Sequence, residues 1–208
     1  MNFKIHLPEP DSPLPRLRSV NGLLNWLSTV DHKQIGIMYL VSALVFFFTG
    51  FGEAMLMRIQ LAQPGNTVLS PEAYNQIFTM HGTTMIFLVL MPMVIGFITY
   101  SLPLMIGANE MAFPRLNAFS YWTFLFGALV LHFSFFAGGA PNVGWFSYVP
   151  MAENYYSFSP GVNYWAISIL IMGIGSVGAA LNIIVTTISM RVKGMAFNRM
   201  PLFVWMSF

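Results

Sequence analysis

Two groups of residues in this 208-residue chain have the types and settings that chemistry needs: an imidazole in an apolar stretch, and a few carboxylates and amides near the ends of such stretches. His81 stands in Thr79, Met80, His81, Gly82, Thr83, Thr84, inside a run from residue 73 to residue 109 that has no Asp, Glu, Lys or Arg. A polar group in such a run is costly unless matched, so each one is a site by default. Two readings of His81 stand open. The imidazole bonds a carbonyl of a neighbouring helix, or it ligates a metal or a haem. Gly82 favours the second, because close approach of a large planar ring requires a missing side chain beside the imidazole.

Further along, Ser168, Met172, Gly175, Ala179, Asn182, Thr186 and Ser189 recur at alternating spacings of four and three. That period puts them on one helix face. The face either packs closely against a neighbouring helix through its small side chains, or lines ordered water, with Asn182, Thr186 and Ser189 able to donate and accept in series. Glu110 lies between two apolar stretches, as a solvated loop carboxylate or a proton collector at the mouth of the bundle that holds Asn117 and Asn182. Glu53 lies inside an apolar stretch, and Arg58 is five residues on, off its face. Glu53 is therefore protonated, paired across helices, or near water.

The elements that must position these residues follow from composition. Hydrophobic residues make up 56% and charged residues 8%, with a mean hydropathy of +0.67. A soluble domain carries about a quarter charged residues, so a soluble globular enzyme is excluded. Residues 73–109, 116–152 and 154–190 each lack charged side chains over 37 positions. About 20 apolar residues suffice to cross the hydrocarbon layer. With residues 35–61 added, four spanning helices are predicted, over about 34–61, 73–100, 119–137 and 163–190, after an arm over 1–33. Pro92 is expected to kink the second. Pro201 and the apolar Leu202 to Phe208 read as the start of a fifth helix, and the chain reads as part of a larger protein. The fold class is an all-α polytopic transmembrane bundle.

Eight of the nine cations group on one side: Lys4, Arg16, Arg18 and Lys33 in the arm, Arg115 in the second connection, and Arg191, Lys193 and Arg199 after the fourth helix. Only Arg58 falls on the other. By the positive-inside rule the N-terminus is cytoplasmic and the topology runs in-out-in-out-in. The first 30 residues lack the apolar core of a cleavable signal, so insertion is expected to rely on the first spanning helix. With no cysteine, disulfides, thiolate metal sites and cysteine nucleophiles are excluded. The net charge of +2 forms no basic stripe for nucleic acid.

Several motifs occur in one order: Asp31, His32, Lys33 with Ile35, Gly36; Arg58 through Pro64, Gly65; Met80, His81, Gly82 with Met85, Ile86, Phe87; Pro103 through Ala108; Met111 through Asn117; and Gly144, Trp145 with Tyr148. From about Trp26 to its end the chain closely resembles subunit I of haem-copper terminal oxidases of the cytochrome c oxidase type, and the shape of its first two connections resembles bacterial members.

That resemblance implies that His81 is an axial ligand of the low-spin haem a, and that Arg58 is the cation near the haem's formyl group. Trp145 and Tyr148 match the outer loop above the haem propionates. Glu110 stands where the family usually has aspartate at the entrance of the D proton channel. Asn117 and Asn182 match channel asparagines, Ser176 matches a channel serine, and Thr99 replaces a channel asparagine of many members. Glu53 inherits no role. The second axial histidine, the copper ligands and the high-spin haem ligand belong to later helices. His6, His32 and His132 are badly placed to replace the partner histidine, so the chain alone is not expected to reduce oxygen. The implied function is that of the parent: a proton-pumping oxidase in a bacterial cytoplasmic membrane, assembled with subunits II and III, passing electrons from cytochrome c through haem a to a haem-copper centre that reduces oxygen to water. The alternatives are a quinol oxidase subunit I, a non-catalytic haem-binding or assembly fragment, and a small transporter without haem.

Overall fold

The computed structural model describes residues 22–208. His6, Lys4, Arg16 and Arg18 lie outside the described residues, as does most of the arm over 1–33. Every regular element among the described residues is helical. A short α1 (Gly22–Leu27) leads to α2 (His32–Gln60), which starts on Asp31. The Asp31 carboxylate accepts the Lys33 N–H at 2.8 Å, matching a donor that has no partner inside the helix. The turn beyond α2 passes through Gly65, in the left-handed region at φ 71°.

α3 (Pro71–Thr83) opens in the same manner: the Ala73 N–H donates to Ser70 Oγ at 3.1 Å, with Pro71 and Glu72 in the first turn. It continues through a π-helical segment over Thr84–Leu90 into α4 (Met91–Ile106), giving one crossing of 36 residues. The disturbance expected at Pro92 is realised one turn earlier, where the Met91 N–H reaches back five residues to the Ile86 carbonyl. A widened turn relieves the clash between a proline ring and the carbonyl four residues before it. The helix also runs past Tyr100 to Ile106, because Pro103 does not end it and Gly107, at φ 75°, does.

α5 (Pro114–Phe133) begins on its proline, earlier than the apolar run alone indicates, and gives way to turns before Ala137. α6 (Gly161–Ser189) follows a long loop. A 3₁₀ turn (Phe197–Arg199) and α7 (Leu202–Ser207) complete the described chain. Four helices, α2, α3 through α4, α5 and α6, are long and apolar enough to cross a membrane, and α7 is a short helix of six residues. The protein is an all-α polytopic membrane bundle.

α5 packs along α6, and α2 along the α3–α4 crossing; α2 against α5 and α4 against α6 join the two pairs. Small residues set the spacing in both. A Cβ on Gly36 of α2 would lie 2.9 Å from the Gly96 carbonyl oxygen of α4, and one on Gly175 of α6 would lie 2.8 Å from the Ser120 carbonyl oxygen of α5. The periodic strip on α6 is thus a packing face: Ser168, Met172, Gly175, Ala179, Asn182 and Thr186 are buried, and only the terminal Ser189 is exposed. Ser168 seals the contact by donating to the Gly127 carbonyl at 2.8 Å.

Candidate functional site

Two sites lie at opposite ends of α2. Toward its Gln60 end, the His81 Nδ1 sits 2.9 Å from the Gly50 carbonyl oxygen. A carbonyl only accepts, so Nδ1 carries the proton and donates it. In a neutral imidazole this tautomer leaves the lone pair on Nε2, the arrangement that metal-bound histidines use, with the other nitrogen oriented by a backbone carbonyl. Both readings of His81 are therefore compatible: one nitrogen serves the neighbouring helix and the other is left for a metal. The described residues fit a haem in this one respect, a single axial nitrogen. His132 lies on another helix, α5, with its Nδ1 bonded to the Ala128 carbonyl of its own helix at 3.0 Å and its ring stacked on Phe46.

The opposite face of the same turn is occupied by protein. Thr79, Gly82 and Thr83 stand three and four residues apart, on one side of α3. The Gly144 N–H donates to Thr79 Oγ1 at 2.9 Å, and the Trp165 indole N–H of α6 donates to Thr83 Oγ1 at 3.2 Å. A Cβ on Gly82 would lie 3.1 to 3.3 Å from the Cβ, Cγ and Cδ1 of Trp145. The planar ring that the bare Gly82 admits is this indole, a correction to the expectation drawn from its position beside His81. Tyr148 is 67% exposed and stacks on Phe146, which in turn packs on Trp145. Arg58 is exposed in the last turn of α2, eight residues beyond Gly50 and about 12 Å along the axis. Glu53, one turn beyond Gly50, is buried with both carboxylate oxygens unpartnered, as is the hydroxyl of Thr84.

The second site lies at the Asp31 end. Glu110 Oε2 is 3.0 Å from His32 Nδ1 and 3.4 Å from the His32 backbone N–H. Asp31, His32 and Glu110 each present one ligating atom within 4.8 Å of the others. The His32 side chain is 1% exposed and that of Glu110 44%, so the carboxylate meets solvent while the imidazole faces the interior with its Nε2 unpartnered. Such a pair can collect a proton at the surface and hand it to a buried ring. Sequence reading missed His32 as a member of this site; its only signal was its place in the Asp31, His32, Lys33 motif.

The amides expected near this mouth divide into two kinds. Asn182 is fully committed: its Oδ1 accepts the Phe113 N–H at 2.9 Å and its Nδ2 donates to the Phe113 carbonyl at 3.1 Å. Thr186 accepts the Ala112 N–H at 2.9 Å. Together they hold the loop that carries Glu110. Asn117 and Thr99 are each 1% exposed, and neither the Asn117 amide nor the Thr99 hydroxyl has a partner. Buried groups in that condition are the ones that ordered water serves. Ser176 donates to the Met172 carbonyl at 2.9 Å and lines a cavity of about 100 Å³ with Tyr39, Pro92, Met172 and Gly173. His32 and Gly50 are 18 residues apart on α2, about 27 Å along the axis, so the Glu110–His32 pair and the His81 imidazole are separated by nearly a hydrocarbon thickness.

Residues 34–208 match the family described as cytochrome c and quinol oxidase polypeptide I. Among the relatives are the quinol oxidase subunits 1 of Bacillus spizizenii and Bacillus subtilis, each 49% identical over 86% of this chain and 28% of their own length. The cytochrome c oxidase subunit 1 of Bacillus subtilis is 46% identical over 89% of this chain and 30% of its own length. The chain spans about a third of the length of the curated relatives it matches.

Proposed function

Because this chain belongs to the haem-copper oxidase subunit I family, we propose that it forms the N-terminal part of the catalytic subunit of a proton-pumping terminal oxidase that reduces oxygen to water. His81 would hold the iron of the low-spin haem a through its Nε2, and Arg58, Trp145 and Tyr148 would help to bind that haem. When bound, the haem takes up and passes on single electrons. The residues of this chain do the rest of what falls to it. Gly50 holds the His81 ring in the tautomer that frees Nε2, and the Gly138–Pro160 loop covers the far side of the ligand turn and excludes water.

At the other end, Glu110 collects protons from the cytoplasmic side and His32 receives them. Asn117 and Thr99 hold the water that continues the route, past Ser176, while Asn182 and Thr186 anchor the entrance. Electrons arriving in an apolar interior draw protons inward along the nearest wet path. The second axial ligand, the high-spin haem and the copper belong to the remainder of the subunit, and subunits II and III are its partners in a bacterial cytoplasmic membrane. The single observation that carries this reading is the His81 Nδ1 to Gly50 hydrogen bond. His81→Ala in the complete oxidase removes the low-spin haem absorption; an unchanged spectrum overturns the assignment.

The electron donor is cytochrome c in this reading. A quinol is the second reading, favoured by the 49% identity to quinol oxidase subunits. Turnover of the complete oxidase with reduced cytochrome c and with a quinol, each alone, separates the two.

A further inference from the structure

The α3 turn that carries His81 is held from both sides, and only one side belongs to the ligand. Thr79 is fully buried, and its hydroxyl is used twice: it donates to the Asn75 carbonyl at 2.9 Å and accepts the Gly144 N–H at 2.9 Å. Thr83, one turn on, repeats the pattern, donating to the Thr79 carbonyl at 2.9 Å and accepting the Trp165 indole at 3.2 Å. Two residues separate Thr79 from His81, a rotation of about 200° on a helix, so the imidazole leaves from the far side toward α2. Rotation of this turn is therefore fixed by Gly50 on one face and by the loop and α6 on the other.

The loop that reaches Thr79 is itself tied down. Asn142 Nδ2 donates to Glu72 at 2.9 Å and Asn142 Oδ1 accepts the Ser157 hydroxyl at 3.1 Å. The bond from Gly144 to Thr79 then sets Trp145 on Gly82, one residue from His81. A valine at position 79 keeps the shape of the side chain and loses the acceptor.

From this arrangement we infer that Thr79 is a positioning residue for the haem ligand, acting through the Gly144 bond to keep the outer loop closed on the His81 turn and water away from it. The inference rests on the ligand reading of His81. A closed apolar cover holds a haem potential up, because water stabilises the more highly charged oxidised form.

The test uses the complete oxidase with Thr79→Val, Thr79→Ser and Thr79→Ala, the last giving the same information should the valine variant not assemble. Hydrogen exchange across residues 141–148 reports loop opening, and redox titration of the low-spin haem band reports the cover. Losing one net hydrogen bond makes exchange in Thr79→Val about fivefold faster. The haem midpoint falls with it, and Thr79→Ser restores both. Faster exchange with an unmoved midpoint reduces Thr79 to a loop anchor and overturns the inference, as does no change in either. An unmodified oxidase without a low-spin band overturns the ligand reading first, a failure seen before any variant is compared.

Discussion

His32 and Glu110 are 78 positions apart in the chain and 3.0 Å apart in the fold. The contact joins the first residue of α2 to the loop before α5, and it turns a solvated carboxylate into one half of a buried-to-exposed pair. The carboxylate also sits on the first N–H of α2, where the helix dipole favours negative charge.

Glu110→Gln removes the proton-accepting oxygen and keeps the shape. In vesicles, proton uptake from the Glu110 side slows on the order of 100-fold, the low end of what a positioned proton-transfer group contributes. Electron entry from the opposite side is unaffected. Stopped-flow measurement with a pH dye checks this, and normal uptake would return Glu110 to an ordinary loop residue.

The two asparagines respond oppositely to the same change. Asn182→Leu removes a fully buried amide and strips the partner from the part-buried Phe113 N–H, and it destabilises the protein by about 1–3 kcal/mol in detergent unfolding. Asn117→Leu removes an amide without protein partners, leaves unfolding nearly unchanged, and slows proton uptake instead. Equal destabilisation by both would remove the distinction between anchor and water site.

Gly82→Ala places a methyl 3.1 Å from the Trp145 indole, tighter than ordinary contact. The indole must yield, at a cost of about 1–3 kcal/mol. Tryptophan emission shifts to longer wavelength as the loop lifts, and an unshifted spectrum means that the indole repacks in place.

Gly175→Ala sets a methyl 2.8 Å from the Ser120 carbonyl oxygen, a backbone atom that cannot rotate away. α5 and α6 separate, and thermal unfolding falls by several degrees, the size expected for about 1–3 kcal/mol in a domain near 200 residues. Gly22→Ala, where the added methyl meets nothing within 4 Å, leaves the transition where it was.

Much of this molecule was legible from residue order alone. Long charge-free runs dictate four crossings, because a membrane forbids unmatched charge and backbone, and a helix satisfies its own backbone wherever it lies. The period of the α6 strip identified one face, since a helix repeats every 3.6 residues whatever it touches. His81 and Glu110 stood out because each is polar where neighbours are not. Which partner each residue met was settled only by packing. The strip could face water or a helix until Gly175 was brought against Ser120; His81 could serve carbonyl or metal until Gly50 took one nitrogen and left the other. His32 with Glu110, Trp145 on Gly82 and the commitment of Asn182 to Phe113 all cross between elements. Such contacts depend on how helices rotate and slide against one another. That register is the sum of many small packing terms, and no local pattern in a chain encodes it.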